Sequence, residues 1–241
     1  MPVSTPTAAA DLTHPGGMRA RRVFPTDERD HLDPFVVFER FYIEPHQGFT
    51  PHPHRGFEIV SYMLEGGMAH EDSMGNESVE RVGDAMRITT GSGMKHSEMP
   101  AEDARCSGLQ LWVNLRRADK DAPPSYREAS AGELPTEELD GATVTTVVGD
   151  GSPRSLRTET TYRIAEVDDA WTWTVPEGWV GFCYVVAGAG RVDGDPIAAG
   201  EVVTAEGPAS ATFSTGSMLR VAAVTGVPHG EPIRQRGPFV E

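Results

Sequence analysis

The 241 residues carry 21 Lys and Arg against 36 Asp and Glu, a formal charge of −15 at pH 7 with neutral histidines. That field repels phosphate backbones and anionic bilayers, no basic patch or run of 18 apolar residues offsets it, and direct nucleic-acid binding and membrane insertion are disfavoured, so a soluble cytoplasmic protein is expected. The 26 Gly and 19 Pro suit short strands joined by tight turns rather than helices, and the length allows one large β unit or two compact ones.

Residues 1–17 open without a basic start or a continuous apolar run, which fails as a signal peptide and reads as a disordered leader. Phe35 to Ile43 is dense in aromatic and β-branched residues and is expected to be extended. Over 57–64, alternation puts Phe57, Ile59, Ser61 and Met63 on one face and Glu58, Val60, Tyr62 and Leu64 on the other, a strand covered on both sides. Turn signals at Glu65-Gly66-Gly67 and at 72–76 flank a return strand at Met68 to His70. Further strands are expected at Ser78 to Val82, Ala85 to Thr90 and Gly108 to Leu115.

From residue 116 the chain is charged and then stopped by Pro123-Pro124, the pattern of a crossing segment. A linker is expected over 127–139, with a short helical turn at 133–139 and Pro135 near its start. Strands resume at 142–148, 160–164, 170–175, 181–186, 200–204 and 218–225. The expected fold is all-β, with two barrel-like (jelly-roll-like) domains at 18–126 and 140–227 and a tail, 228–241, packing back. Cys106 and Cys183 lie in no C-x-x-C pair and are read as buried thiols. Trp171 and Trp173 share a strand face and are read as packing in the second barrel. No phosphate-binding glycine loop or serine elbow is present.

Of eight histidines, three fall in two short patterns, His52-Pro53-His54 and His96-Ser97-Glu98. In extended backbone, residues i and i+2 share a face, so two such pairs on adjacent strands bring three imidazoles and one carboxylate to one point. That donor set leaves open positions in an octahedral shell and suits iron, manganese or nickel, whereas a closed structural zinc site more commonly has four ligands including Cys. Glu58, four residues after His54, is a competing carboxylate; Glu98 ranks first because it shares the parity of His96. His70 is open between a structural and a pocket-lining role, and Asp84, after Gly83, is read as a turn carboxylate.

The run His52-Pro53-His54-Arg55-Gly56-Phe57-Glu58-Ile59-Val60-Ser61-Tyr62 resembles the signature of the pirin family, within the cupin superfamily. The likeness continues through His70 to Asn76, Thr90-Gly91-Ser92-Gly93-Met94, His96-Ser97-Glu98 and Gly108 to Leu115, so it covers roughly 18–126. The resemblance implies a bicupin whose N-terminal barrel binds Fe(II) through His52, His54, His96 and Glu98, with manganese, nickel, copper or zinc as substitutes. It also implies a second barrel without metal, and residues 140–227 contain no histidine. The closing segment, 230–240, resembles the family's own.

Two functions follow from the resemblance. Some members resemble quercetin 2,3-dioxygenases, which implies cleavage of a flavonol or related phenolic substrate with Glu98 as ligand and proton acceptor. Others resemble transcriptional cofactors, which implies an iron-dependent regulatory or redox-sensing protein with a protein partner, and the motif alone serves both. Closed barrels leave few free strand edges, so a monomer is expected.

Overall fold

The computed structural model describes residues 3–153 and 155–241. Among the described residues every strand ladder is antiparallel apart from an isolated parallel bridge between Arg55 and Phe239, and the chain divides into two units. One comprises Ala10–Glu133 with His229–Glu241; the other comprises Leu134–Pro228 with the residues up to Ala9.

The unit built on Ala10–Glu133 has three sheets among the described residues, the smallest a two-stranded ladder of Gln235–Arg236 and Phe239–Val240. The seven-stranded sheet runs in the order Ser125–Ala129, Ala85–Thr89, Phe57–Glu65, Cys106–Asn114, Phe35–Ile43, Arg19–Phe24, Ala10–Thr13. Its central strands are covered on both faces, and eight of the nine residues of Phe57–Glu65 are buried. The four-stranded sheet runs Phe49–His54, Met94–Pro100, Gly67–Asp72, Glu77–Arg81. Met68 and Met94 from this sheet pack with Phe41, Phe57, Ile59, Met86 and Ile88 from the larger one in a single apolar cluster. Burial of such side chains is the main favourable term holding the sheets face to face.

Phe49–His54 is an edge strand, which is where prolines can be tolerated. Pro51 and Pro53 lack N–H donors, and the edge position spares the ladder bonds they could not make. Gly91 (φ +43°) turns the chain into Met94–Pro100; a Cβ there would stand 2.0 Å from the Ala122 carbonyl oxygen.

The other unit is also all-β, and its core includes Trp171, Trp173, Cys183, Val185, Phe213, Leu219 and Val221. Both cysteines are buried free thiols, and the two indoles pack inward as their shared parity implies.

Two local expectations are corrected. The leader was expected to lack structure over 1–17; Met1 and Pro2 lie outside the described residues, but Thr7–Ala8 pairs with Glu201–Glu206 and Ala10–Thr13 pairs with Arg19–Phe24. Backbone pairing to a ready sheet edge organises a segment whose own side chains supply little burial. The linker over 127–139 begins inside Ser125–Ala129, an edge strand on Ala85–Thr89, and the helical turn at 133–139 is replaced by a 3-10 turn at Ala131–Glu133 and a strand at Thr136–Leu139. Thr136–Leu139 is an edge strand against Ala142–Val148, and its glutamates stay exposed. Ladder bonds outweigh the weak helical preference of so short a run.

Candidate metal centre

Register places the histidines. Met94–Pro100 pairs with Phe49–His54 so that His96 stands opposite His52 and Met94 opposite His54. Same-face projection then gathers three imidazoles, whose ligand atoms all lie within 4.8 Å of one another. Ring centroids are 4.7 Å apart for His52 and His54, 4.4 Å for His52 and His96, and 4.9 Å for His54 and His96.

Two neighbours set the ring tautomers. A carbonyl oxygen can only accept, so His52 Nδ1 donates to the Thr50 carbonyl at 2.9 Å and His54 Nδ1 to the Pro238 carbonyl at 3.3 Å. Each Nε2 is thereby left with its lone pair, the form a metal requires. His96 is 2% exposed, and neither of its ring nitrogens has a hydrogen-bond partner. A buried imidazole with both nitrogens unsatisfied is costly, and coordination to a cation would satisfy one of them.

Burial pushes His54 down to about 3, with the neighbouring His52 charge adding to the effect and the Pro238 carbonyl opposing it. His96 is held well below the ordinary histidine value by burial and by His54, His52 and His70; burial also lowers His52, against the Thr50 carbonyl. All three are neutral at pH 7, so a metal displaces no proton from them.

Glu98, the expected fourth ligand, lines the same cavity as His52 and His54 and is not one of the three residues whose ligand atoms all lie within 4.8 Å of one another. His96, Ser97 and Glu98 pair in unbroken register with Asp72, Glu71 and His70, so Glu98 keeps the parity of His96, and the register shift opposite Phe49–His54 lies on that neighbouring strand. The Glu98 carboxyl lies against Gln110, whose Nε2 is 3.3 and 3.4 Å from its two oxygens. Burial pushes Glu98 up to about 8; Gln110 opposes this, and Glu80 and Glu39 add to it.

The orientation of Gln110 is itself set, because its Oε1 accepts from Trp112 Nε1 at 3.0 Å. Trp112 stacks on Phe57 with centroids 4.2 Å apart and meets the His54 ring edge-on at 4.9 Å. Gln110 and Trp112 were not singled out from sequence, although their i, i+2 spacing on a strand was a usable signal. Replacing Gln110 by leucine is expected to weaken metal affinity about tenfold, the usual cost of removing a group that orients a ligand. A metal titration of the variant checks this, and unchanged affinity would separate Glu98 from the centre.

Glu58, the competing carboxylate, is fully buried and engaged elsewhere, accepting from Thr89 Oγ1 at 2.7 Å and Arg87 at 3.2 Å. His70 is fully buried behind His96, with centroids 5.4 Å apart, and stacks on Tyr126 at 4.6 Å. Asp84 holds a turn, accepting from the Arg81 and Ala131 backbone N–H groups.

His52, His54 and Glu98 open on a cavity of about 1050 Å³. Its apolar wall includes Met18, Val37, Phe49, Trp112 and Ile233, and segment 233–238 closes one side. Such a mixture of apolar surface with a few convergent polar groups suits a flat ligand of drug-like size. No helix among the described residues is long and apolar enough to cross a membrane.

Comparison with known proteins gives a family profile described as Pirin over residues 17–113 and one described as Pirin C-terminal cupin domain over 165–241. Pirin-1 of Arabidopsis thaliana is 39% identical, covering 87% of this chain and 77% of the relative. Among solved structures, a quercetin 2,3-dioxygenase from Acinetobacter baumannii superposes with a TM-score of 0.89 at 25% identity, over 99% of this chain and 91% of that one. The bacterial pirin YhhW of Escherichia coli, in complex with nickel(II), shares the fold with a TM-score of 0.77 at 20% identity, over 91% of this chain and 95% of that one.

Proposed function

Since the chain belongs to the pirin family and has its two-cupin, all-β fold, we propose that it is an Fe(II)-dependent dioxygenase acting on flavonol-type or related phenolic substrates. The observation that carries this reading is a cluster of three neutral imidazoles beside a buried carboxyl, opening on an aromatic-walled cavity. The likeness to the A. baumannii quercetin 2,3-dioxygenase supports the reaction class.

His52, His54 and His96 would hold the ion, and Glu98 is the carboxylate available to complete the shell. When bound, the ion supplies Lewis acidity toward a substrate hydroxyl and access to dioxygen chemistry. Phe49 and Trp112 offer ring faces that fix the plane of an aromatic substrate, and Val37 and Ile233 exclude water from it. Glu98, once ionised, can take the proton of a substrate hydroxyl, and Gln110 keeps its carboxylate aimed while it does so.

The test is anaerobic reconstitution with Fe(II), followed by oxygen uptake with quercetin, with His96→Ala as control. Iron-dependent uptake with a ring-cleaved product is the expected result. Tight iron binding without turnover would overturn the enzymatic reading and favour the regulatory one.

A further inference from the structure

The metal cavity contains a second cluster of ionisable side chains, reached from the histidines across one aromatic ring. Phe49 lies 5.8 Å from His52 and 5.4 Å from His14, between ring centroids. His14, Arg22 and Glu39 all line the same cavity.

Glu39, on Phe35–Ile43, is only 3% exposed. Its Oε2 accepts from Arg22 Nε at 2.8 Å and Nη2 at 2.5 Å, and its Oε1 pairs with His14 Nε2 at 2.9 Å. Burial pushes the Glu39 carboxyl up, but the bond from His14 and the charge of Arg22 outweigh it and hold the group below the usual carboxylate value. An ionised carboxylate can only accept, so His14 Nε2 carries a proton and Nδ1 is the basic atom of the ring. No hydrogen bond to Nδ1 is made by any described residue, and the His14 side chain is 16% exposed. Both Arg22 bonds end on Oε2, and His14 Nε2 is what meets Oε1. The tautomer so fixed is the arrangement that makes an imidazole a hydrogen-bond acceptor and base at its other nitrogen.

We propose that His14, oriented by Glu39, is a second substrate-binding residue of the metal cavity, accepting a hydrogen bond or proton from a hydroxyl at the end of the substrate remote from the metal. The inference rests on the phenol-binding reading of the cavity and narrows its substrates to planar aromatics with acidic hydroxyls at both ends. Two ring contacts separate His14 from His52, a span that a ligand of two or three linked rings can bridge. If proton transfer completes, the phenol O–H bond breaks and an Nδ1–H bond forms. The resulting imidazolium keeps its Nε2–H on the Glu39 carboxylate, so the pair becomes neutral beside the phenolate. The other charged or titratable groups of this wall are Arg22, Asp30, His31, Arg234 and Arg236; only Arg22 shares the Glu39 carboxylate.

The experiment compares two probes on the zinc-loaded full chain, since redox-inert zinc leaves the ligand unconsumed. Quercetin has hydroxyls remote from its 3-hydroxyl, and 3-hydroxyflavone has none. The wild-type chain is expected to bind quercetin about tenfold more tightly, the size of one net hydrogen bond to an anchored group. His14→Phe, which keeps the ring and removes both nitrogens, should abolish that preference and leave 3-hydroxyflavone binding within about twofold. His14→Gln, which restores an acceptor, should recover part of the preference. An unchanged preference in His14→Phe, or an equal loss for both probes, overturns the role of His14 alone. Failure of both probes to bind the wild-type chain overturns the phenol-binding reading and this inference with it.

Discussion

Replacing His96 by alanine is expected to lower affinity for a divalent transition metal by on the order of a hundredfold or more, while the metal-free variant melts within about 4 °C of metal-free wild type. The first part follows from position. His96 stands opposite His52 on the neighbouring strand and is one of only three imidazoles whose ligand atoms converge. The second part follows from its surroundings. Truncation opens a void, which costs stability, but it also removes two buried ring nitrogens that have no partner, which returns some. The barrel is held by apolar packing among Phe57, Ile59, Met63 and Met86, none of which the substitution touches. Metal content by elemental analysis, with melting curves in chelator, checks both halves. Full metal occupancy in the variant would remove His96 from the centre.

The second large effect is on pH dependence. The unfolded chain protonates its histidines near 6.5, while folded His54 resists until about 3, so its contribution to stability is complete above 6.5 and is lost as the pH falls toward 3. The loss is roughly 5 kcal/mol for a shift of this size. Glu98 runs the other way. Its folded value of about 8 lies above the ordinary 4.5, so its contribution is complete below 4.5 and is lost as the pH rises through 8. His96 and His52 are lowered in the same direction as His54, so metal-free protein should gain stability as the pH rises to about 6.5 and lose it from there toward 8.

Metal separates the two groups. The three neutral histidines release no proton at pH 7, whereas Glu98 must release one if it binds the ion. Calorimetry in buffers of different ionisation enthalpy should find about one proton released per metal in wild type and none in Glu98→Gln. Zero release in wild type would mean that Glu98 stays protonated and outside the shell.

The histidine cluster was legible because it depends on a local rule. His52 and His54 share a face wherever the backbone is extended, and alternation alone fixes that. Glu98 follows the same alternation, since 96–98 pair in unbroken register with 72–70, whereas its contact with Gln110 comes from another strand and leaves no mark in the local pattern. Phe35–Ile43, Ala142–Val148 and Ala170–Val175 match their expected bounds, as β-branched and aromatic runs between clear turns should. Residues 10–17 were misread because their order comes from a neighbouring strand, and with them went His14, whose significance depends on a glutamate 25 residues away. The His14–Glu39 contact is long-range and has no local periodicity to betray it.

The His54 ring is bonded to a carbonyl 184 residues further along the chain, and the same closing stretch is fastened by Lys120 Nζ, which donates to the Val240 carbonyl at 3.0 Å. Contacts of such high contact order form late, after hairpins such as 67–72 with 77–81 have already paired. His52 is set locally by the Thr50 carbonyl, whereas His54, two residues on, acquires its final tautomer only when the chain has closed on itself. A metal ion that needs both lone pairs binds the finished fold in preference to any species whose tail has peeled away, and by mass action it draws the population toward the closed form.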